Sequence, residues 1–282
     1  MEVNVVGVIG AGIMGSGIAQ VCAASGRRVV LVDTSEAAVA RGKAAIGGGL
    51  DRVLAKGLLD AAGKAAVLDR IAGTTDYRDL AQCDLVIEAA TENEDIKMRV
   101  LKRVDEVVRP DAVIATNTSS ISITRLAAAT SRPERVIGMH FFNPVPLMAL
   151  VELVRGLRTS DRTHQTAEML ALAIGKTPVA VGNSPGFAVN RVLCPMINEA
   201  IFVLQEGLAG ARDIDDGMKL GCSHPIGPLA LADLIGLDTL LAVMETLHRG
   251  FNDPKYRPAP LLREMVDAGR LGRKSGRGFY EY

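Results

Sequence analysis

The chain has 282 residues, of which 48% are hydrophobic, enough for one large or two moderate globular domains with a substantial core. Lys plus Arg and Asp plus Glu both number 32, so the formal net charge is zero. This balance argues against nucleic acid or an anionic membrane surface as the main partner.

The chain contains four widely spaced cysteines, without a Cys-x-x-Cys pair or a histidine cluster. This spacing predicts reduced, mostly buried thiols and neither a metal site nor a disulfide framework. The longest apolar window, 136–154, is interrupted by prolines and polar residues and does not resemble a membrane span. A first strand predicted from about Val3 leaves no room for a signal sequence, and we therefore expect a cytoplasmic protein.

Near the amino terminus, an apolar run leads into Gly10-x-Gly12-x-x-Gly15 and then into a helical period. This is the dinucleotide-binding fingerprint in its strand-turn-helix context. Gly10 allows the tight turn, Gly12 allows close approach of a pyrophosphate, and Gly15 allows close packing of the helix. The helix start then directs N–H groups and a positive dipole end at the phosphates.

A second apolar strand, residues 28–33, ends in Asp33, 18 residues after Gly15. A carboxylate at this point is suited to hold a ribose 2′-hydroxyl and repels a 2′-phosphate. The pair of motifs therefore predicts an NAD site in preference to NADP.

The remaining pattern predicts a Rossmann-type α/β domain with a mostly parallel sheet. Further strands are expected near 71–74, 85–90, 112–116, 135–140, 150–154 and 177–181, and helices near 35–56, 60–70, 94–108 and 162–174. We interpret strand 85–90 as apolar throughout, as suits a parallel strand covered on both faces.

Residues 182–186, which are small and polar and include a proline, mark the predicted domain boundary. We expect an NAD-binding domain over residues 1–184 and a smaller all-α domain over 185–282 for substrate binding and dimerisation. The second domain shows helical periods near 187–207, 213–220, 228–235, 237–248 and 260–268.

Polar side chains stand at the predicted carboxyl ends of two strands. The first group is Asn117-Thr118-Ser119-Ser120, which suits either a ligand site or a polar cap for the next helix. The second is His140. Glu152 interrupts the neighbouring apolar run, where a solitary carboxylate is costly to bury, so it needs a partner. A hydrogen bond between the two would orient the imidazole as a general base, although a purely structural pair is the alternative.

Five motifs then occur in order: Gly10-x-Gly12-x-Met14-Gly15, Asn117-Thr118-Ser119-Ser120, Gly138-Met139-His140-Phe141-Phe142-Asn143-Pro144, Leu150-Val151-Glu152 and Asn183-Ser184-Pro185-Gly186-Phe187-x-x-Asn190-Arg191. Over essentially its full length the chain resembles the 3-hydroxyacyl-CoA dehydrogenases, and among them the short-chain 3-hydroxybutyryl-CoA dehydrogenases of bacteria. The resemblance implies an (S)-3-hydroxyacyl-CoA interconverted with the 3-oxoacyl-CoA by NAD, in a homodimer.

The resemblance also implies residue roles. His140 is the general base and Glu152 its partner, while Ser119 and Asn190 donate hydrogen bonds to the reacting oxygens across an interdomain cleft. The positions implied near NAD are Gly10, Gly12, Ile13, Met14, Gly15, Asp33, Glu92, Lys97, Asn117, Ser119, Asn143 and Lys274. Lys56 matches a lysine near the coenzyme A phosphates. Gly49 departs from the family, because relatives carry a serine there that touches coenzyme A.

Two other functions compete with this interpretation. The β-hydroxyacid dehydrogenases share the glycine turn, but they use a catalytic lysine on the first helix after the linker. Here no lysine occurs between Lys176 and Lys219. A non-enzymatic, crystallin-like NAD-binding protein would keep Asp33 while losing the base, and His140 together with Glu152 argues against it.

Overall fold

The structure, a computed structural model, describes residues 2–282. The chain divides into two compact units, the first ending at Asn183 and the second beginning at Ser184. None of the helices in the described residues combines the length and apolar character that crossing a bilayer requires.

The first unit is built on one eight-stranded sheet with the order β3-β2-β1-β4-β5-β6-β7-β8. The strands are β1 (Val5–Ile9), β2 (Arg28–Val32), β3 (Ile71–Thr74), β4 (Leu85–Glu88), β5 (Val113–Thr116), β6 (Val136–Phe141), β7 (Leu150–Arg155) and β8 (Thr177–Gly182). Strands β1 to β6 run parallel, β7 is antiparallel to β6, and β8 is parallel to β7. The predicted mostly parallel Rossmann-type sheet is confirmed.

Six α-helices accompany this sheet: α1 (Ile13–Ala24), α2 (Glu36–Ala55), α3 (Ala61–Asp69), α4 (Glu94–Val107), α5 (Ile123–Ala127) and α6 (Asp161–Ala173). Side-chain caps explain where most of them begin. Ser35, Asp60 and Ser160 each accept a hydrogen bond from a backbone N–H in the first turn of α2, α3 and α6. These starts agree with the boundaries expected from the sequence.

Close packing accounts for two of the four glycines of α2. The helix continues without a break through Gly47, Gly48 and Gly49. A Cβ atom on Gly49 would lie 2.7 Å from Oε1 of Gln20 in α1, and one on Gly42 would lie 2.7 Å from the Cβ of Ala11. These two glycines therefore let α2 approach α1 and the turn before it, which offsets their low helix propensity.

One element before β4 was not expected from the sequence, and one expectation for β4 itself needs correction. A 3₁₀ helix over Tyr77–Gln82 precedes β4, and its buried Leu80 packs where a Cβ on Gly7 would collide, at 2.6 Å. The description of the β4 strand as apolar throughout is wrong, because Glu88 lies in it with none of its surface exposed. Its partners lie at the candidate site.

The second unit is helical. Its helices are α7 (Val189–Gln205), α8 (Ala211–Cys222), α9 (Pro228–Ile235), α10 (Leu237–Phe251) and α11 (Pro260–Asp267). The first begins at Val189, later than expected, because Phe187 has φ +50° and cannot belong to a right-handed helix. Ile197, Leu240 and Leu247 are fully buried in the core of this unit. The helical second domain is thereby confirmed.

Buried aspartates attach the carboxyl-terminal tail to the helices of the second unit. Asp233 accepts hydrogen bonds from the backbone N–H groups of Phe279 (3.0 Å) and Tyr280 (2.9 Å). Asp215 accepts from the Tyr280 hydroxyl at 2.7 Å and caps the start of α9 through Leu229 N. The tail is therefore an ordered part of this unit.

All four cysteines are free thiols, and only Cys222 is exposed. Burial raises the pKa of the thiols of Cys22, Cys83 and Cys194 to about 12. The described residues contain no group of three or more metal-ligating side chains close enough to hold an ion.

Candidate active site

The carboxyl ends of five parallel strands bring the chemistry-bearing residues of the first unit to one edge of the sheet. They are the glycine turn after β1, Asp33 after β2, Glu88 at the end of β4, Asn117 after β5 and His140 in β6. The strand order reverses direction between β1 and β4. Ligands of open α/β sheets bind at such a switch point, so the topology locates the site before any side chain is considered.

The three glycines of the turn are required for three different reasons. Gly10 has φ +96°, and a Cβ there would lie 2.6 Å from the carbonyl oxygen of Ala89. A Cβ on Gly15 would lie 1.7 Å from the carbonyl oxygen of Gly10. A Cβ on Gly12 would meet nothing within 4 Å, so packing within the chain does not demand a glycine there. The open backbone at Gly12 leaves room for the close approach of a ligand.

Asp33 is tied to the same turn. Its Oδ2 accepts a hydrogen bond from Ala11 N at 2.7 Å, and its Oδ1 accepts from Thr34 N at 2.6 Å. An ionised carboxylate has about four acceptor positions, so it keeps capacity for a ribose hydroxyl. Ile13, beside the turn, is 78% exposed, and Met14 is half-buried. These residues fit the adenosine-diphosphate half of NAD.

His140 and Glu152 face each other across the antiparallel pair of β6 and β7. Nδ1 of His140 lies 2.7 Å from Oε2 of Glu152, and the two side chains are only 7% and 1% exposed. Because a carboxylate can only accept, Nδ1 carries the proton and Nε2 is the basic nitrogen. The Phe142 ring packs against the imidazole with a centroid separation of 4.5 Å. The pair can therefore take up a proton and stabilise the resulting charge.

Glu92 organises the polar segment after β5. Its Oε1 accepts hydrogen bonds from Thr118 Oγ1 (2.6 Å), Ser119 N (2.8 Å), Ser119 Oγ (3.1 Å) and Ser120 Oγ (3.0 Å). Burial raises the pKa of Glu92, but the nearby Lys97 ammonium and the hydrogen bonds of Thr118, Ser119 and Ser120 outweigh it and hold the pKa below its usual value. An ionised Glu92 thus fixes the Ser119 hydroxyl.

The same segment is not the cap of the next helix. Ser122 caps α5, because its hydroxyl accepts a hydrogen bond from Arg125 N. Asn117 instead reaches the neighbouring strand, where its Oδ1 accepts from Phe141 N at 2.8 Å. Phe141 directly follows His140, so Asn117 helps to fix the end of β6.

Glu88 is a site residue that the sequence analysis missed. Its two carboxylate oxygens lie 2.9 and 2.8 Å from Nζ of Lys97, and it also accepts from Thr116 Oγ1 (2.7 Å) and Ala90 N (2.8 Å). Lys97 is 1% exposed, and its Nζ lies 3.7 Å from Oε2 of Glu92. The signal was a carboxylate in an apolar strand, the same signal that singled out Glu152.

The turn between β6 and β7 is held by a buried lysine. Nζ of Lys176 donates to the carbonyl oxygens of Val145 (2.5 Å) and Met148 (2.8 Å), and burial lowers the pKa of this amine. A Cβ on Gly17 of α1 would lie 2.8 Å from the Cβ of Val145. The turn, which carries the exposed Asn143, is thus packed on the helix that begins at the glycine turn.

The remaining candidates lie elsewhere. Lys56 is exposed at the carboxyl-terminal end of α2. Asn190, half-buried in the first turn of α7, and Lys274 belong to the second unit, where Nζ of Lys274 lies 2.7 Å from Oδ2 of Asp238.

Family models match both units of the chain. Residues 5–184 match the model of the 3-hydroxyacyl-CoA dehydrogenase NAD-binding domain, and residues 186–282 match that of the carboxyl-terminal domain of the same family. A probable 3-hydroxybutyryl-CoA dehydrogenase of Deinococcus radiodurans is 55% identical over 276 residues, covering 98% of this chain and 99% of the relative. A 3-hydroxybutyryl-CoA dehydrogenase of Bradyrhizobium diazoefficiens is 53% identical, covering 98% and 94%.

The fold likeness is equally close. The crystal structure of (S)-3-hydroxybutyryl-CoA dehydrogenase from Ralstonia eutropha superposes with a TM-score of 0.97 at 63% identity, covering 100% of this chain and 99% of that one. Family models that together span nearly the whole chain, and relatives above half identity, leave one assignment. The chain belongs to the 3-hydroxyacyl-CoA dehydrogenase family and is an NAD-dependent enzyme of 3-hydroxyacyl-CoA oxidoreduction.

Proposed function

We propose that this chain interconverts (S)-3-hydroxybutyryl-CoA and the corresponding 3-oxoacyl-CoA, with His140 as general base and Glu152 as its partner. The observation that carries the proposal is the buried 2.7 Å contact between Nδ1 of His140 and Oε2 of Glu152, at the sheet edge that bears the glycine turn. The names of the relatives support the four-carbon acyl group.

The proton chemistry follows from this pair. In the oxidative direction, Nε2 of His140 accepts the proton of the substrate hydroxyl, and Glu152 balances the positive charge that appears on the ring. In the reverse direction the imidazolium returns that proton to the oxygen. NAD, when bound, supplies the hydride acceptor. A positioned base of this kind typically contributes about 10²- to 10⁴-fold to the rate.

Ser119 and Asn190 are the proposed hydrogen-bond donors to the reacting oxygens. The Ser119 hydroxyl now donates to Glu92, and a hydroxyl can turn toward a substrate oxygen while its backbone N–H keeps the segment in place. Asn190 would add a second donor from the second domain. Both donors stabilise charge that develops on oxygen.

Holding the cofactor is the proposed role of the residues along the sheet edge. The turn Gly10, Gly12, Ile13, Met14 and Gly15 would receive the pyrophosphate, and Asp33 the adenosine ribose. Asn117, Glu92, Lys97, Asn143 and Lys274 are proposed near the rest of the cofactor. For Lys97 we propose an indirect contribution, because its ammonium is buried against Glu88.

Lys56 is the proposed contact to the coenzyme A phosphates, since it is exposed and cationic at the end of α2. In the second unit, Val192, Leu208 and Leu220 are 73%, 77% and 85% exposed. Such apolar side chains support a homodimer formed through this domain. We also propose a cytoplasmic location. Solution scattering that returned the mass of a single chain would contradict the dimer.

The activity is tested by following NADH absorbance with 3-oxoacyl and 3-hydroxyacyl thioesters of coenzyme A of increasing acyl length. We expect turnover to be highest with the four-carbon thioesters and absent with the free 3-hydroxy acid. Turnover that is equal for the free acid would contradict a coenzyme A substrate. A maximum at long acyl chains would contradict only the chain length.

A further inference from the structure

The side chain of Asn183, the last residue of the first unit, forms hydrogen bonds with the start of α5. Its Oδ1 accepts a hydrogen bond from Ile123 N at 2.9 Å, and its Nδ2 donates to Ser122 Oγ at 3.0 Å and to Thr124 Oγ1 at 3.1 Å. Three consecutive residues are thus tied to one side chain that lies about sixty positions away in sequence. We call residues 118–122 the Ser119 segment. We propose that Asn183 is a positioning residue that fixes this segment for catalysis, an inference that rests on the role proposed for Ser119.

The Ser119 segment is held at both of its ends. Glu92 accepts hydrogen bonds from its first part, at Thr118, Ser119 and Ser120. Asn183 holds the part that begins at Ser122. Ile121, the one residue in between, donates its backbone N–H to Thr118 Oγ1 at 3.0 Å. With every residue tied, a displacement of α5 is transmitted to Ser119 over three positions.

A carboxamide suits this place because it accepts and donates in one side chain. The Thr124 hydroxyl oxygen also accepts a hydrogen bond from Leu157 N at 2.9 Å, so the hydrogen-bond network around Asn183 includes the turn after β7. A Cβ on Gly156 would lie 3.1 Å from Thr124 N, and this tight packing leaves α5 little room to move. Asn183 therefore completes a set of contacts that converge on the first turn of α5.

The place of Asn183 in the chain gives the contact a further meaning. Ser184, the next residue, is the first of the second unit. The residue whose side chain holds the Ser119 segment is therefore also the last residue of the first unit. The same three hydrogen bonds of Asn183 therefore fix both the end of the first unit and the position of Ser119.

The test replaces Asn183 with Leu, which keeps the approximate volume and removes all three hydrogen bonds. We expect kcat for reduction of a four-carbon 3-oxoacyl-CoA to fall about 10- to 100-fold, since a misplacement of about 1 Å can cost about 10²-fold. The Kd for NADH should stay within about twofold, because the glycine turn and Asp33 are untouched. Asn183→Asp should retain at least a third of kcat, since the hydroxyls of Ser122 and Thr124 can donate to its carboxylate.

The matched control is Ser160→Ala, which removes the side-chain cap of α6. It should lower Tm by about 2–4 °C and leave kcat unchanged, which separates a loss of stability from a loss of positioning. Asn183→Ala provides a second deletion should the Leu variant be poorly folded. The inference is overturned if the folded deletion variant keeps the kcat of the control, or if Asn183→Asp is as slow as Asn183→Leu. Absence of turnover in the unsubstituted chain would instead refute the proposed function.

Discussion

Glu152 and Glu88 are two buried carboxylates of one sheet that differ in their partners. Glu152 meets the imidazole of His140 across an antiparallel strand pair, whereas Glu88 meets the ammonium of Lys97, which reaches it from α4. Both acids are at most 1% exposed, so both need a partner that offsets the cost of burial. An imidazole exchanges its proton near neutral pH, and an alkyl ammonium does not.

The difference in partner separates a pair suited to proton transfer, His140 with Glu152, from a pair suited to holding the fold, Lys97 with Glu88. The pair with His140 can gain and lose charge, which a proton-transfer step requires. The pair with Lys97 joins a carboxylate to an alkyl ammonium, and the carboxylate is further tied to Thr116 and to the backbone of Ala90. The pair of Glu88 and Lys97 thereby joins β4, α4 and the end of β5, the strand that precedes the segment with Ser119. The same electrostatic argument therefore supports the proposed general base in one place and an anchor in the other.

The largest expected effect on activity comes from removing the proposed proton acceptor, His140. We expect His140→Gln to lower kcat by about 10³- to 10⁴-fold, since the amide can hydrogen bond to Glu152 but cannot serve as a base. NADH binding, measured by fluorescence titration, should change less than twofold. A variant that retains a tenth of the activity would refute the role proposed for His140.

Breaking the anchor should act on stability first. Lys97→Met leaves the Glu88 carboxylate buried without its cation, and we expect the free energy of unfolding to fall by about 3–5 kcal/mol. The double variant Glu88→Leu with Lys97→Met removes both charges and should recover at least half of that loss. Urea denaturation measures both. An equal loss in the single and double variants would mean that the ion pair is not the source of the effect.

Glu152→Gln tests whether the proposed catalytic pair of His140 and Glu152 needs the charge of its carboxylate. The amide oxygen still accepts from Nδ1, so the ring stays oriented, but the imidazolium loses its counter-charge. We expect kcat to fall about 10- to 100-fold and the alkaline limb of the reduction rate to move to lower pH. An unaltered pH profile would assign Glu152 a structural role, similar to that of Glu88.

The smallest effect concerns Glu92, whose pKa is lower in the folded chain than its ordinary value of 4.5. A carboxylate with a lowered pKa contributes stability above the unfolded pKa and loses it as the pH falls through the folded value. Glu92→Gln should therefore cost about 1 kcal/mol or less at pH 7, because the side chain is 42% exposed. Urea titrations from pH 7 to pH 3 should show the two proteins converging at the acidic end.

Local signals made much of this architecture predictable. Strands and long helices could be located within a few residues, because the apolar period and capping residues such as Ser35 and Asp60 act over a single turn. The five-residue α5 and the 3₁₀ helix before β4 were missed, since segments so short carry no period.

Contacts between distant residues mark where the sequence stops being informative. The partner of Glu152 could be inferred because His140 ends the neighbouring strand. Glu88 escaped notice within an apolar run, although the same reasoning applies to it. The grip of Asn183 on α5 depends on tertiary structure alone, because the two are about sixty positions apart.

The glycine turn has a consequence for engineering. A methyl group at Gly15 would overlap the carbonyl oxygen of Gly10. A substitution there would disrupt the fold and the proposed ligand site together, so its effect on binding could not be separated from its effect on folding. Gly12 has an ordinary φ of −73° and open surroundings, and alanine fits it without strain. We therefore expect Gly12→Ala to keep the fold while its added methyl group blocks the proposed pyrophosphate site, which would give an inactive variant of unchanged shape.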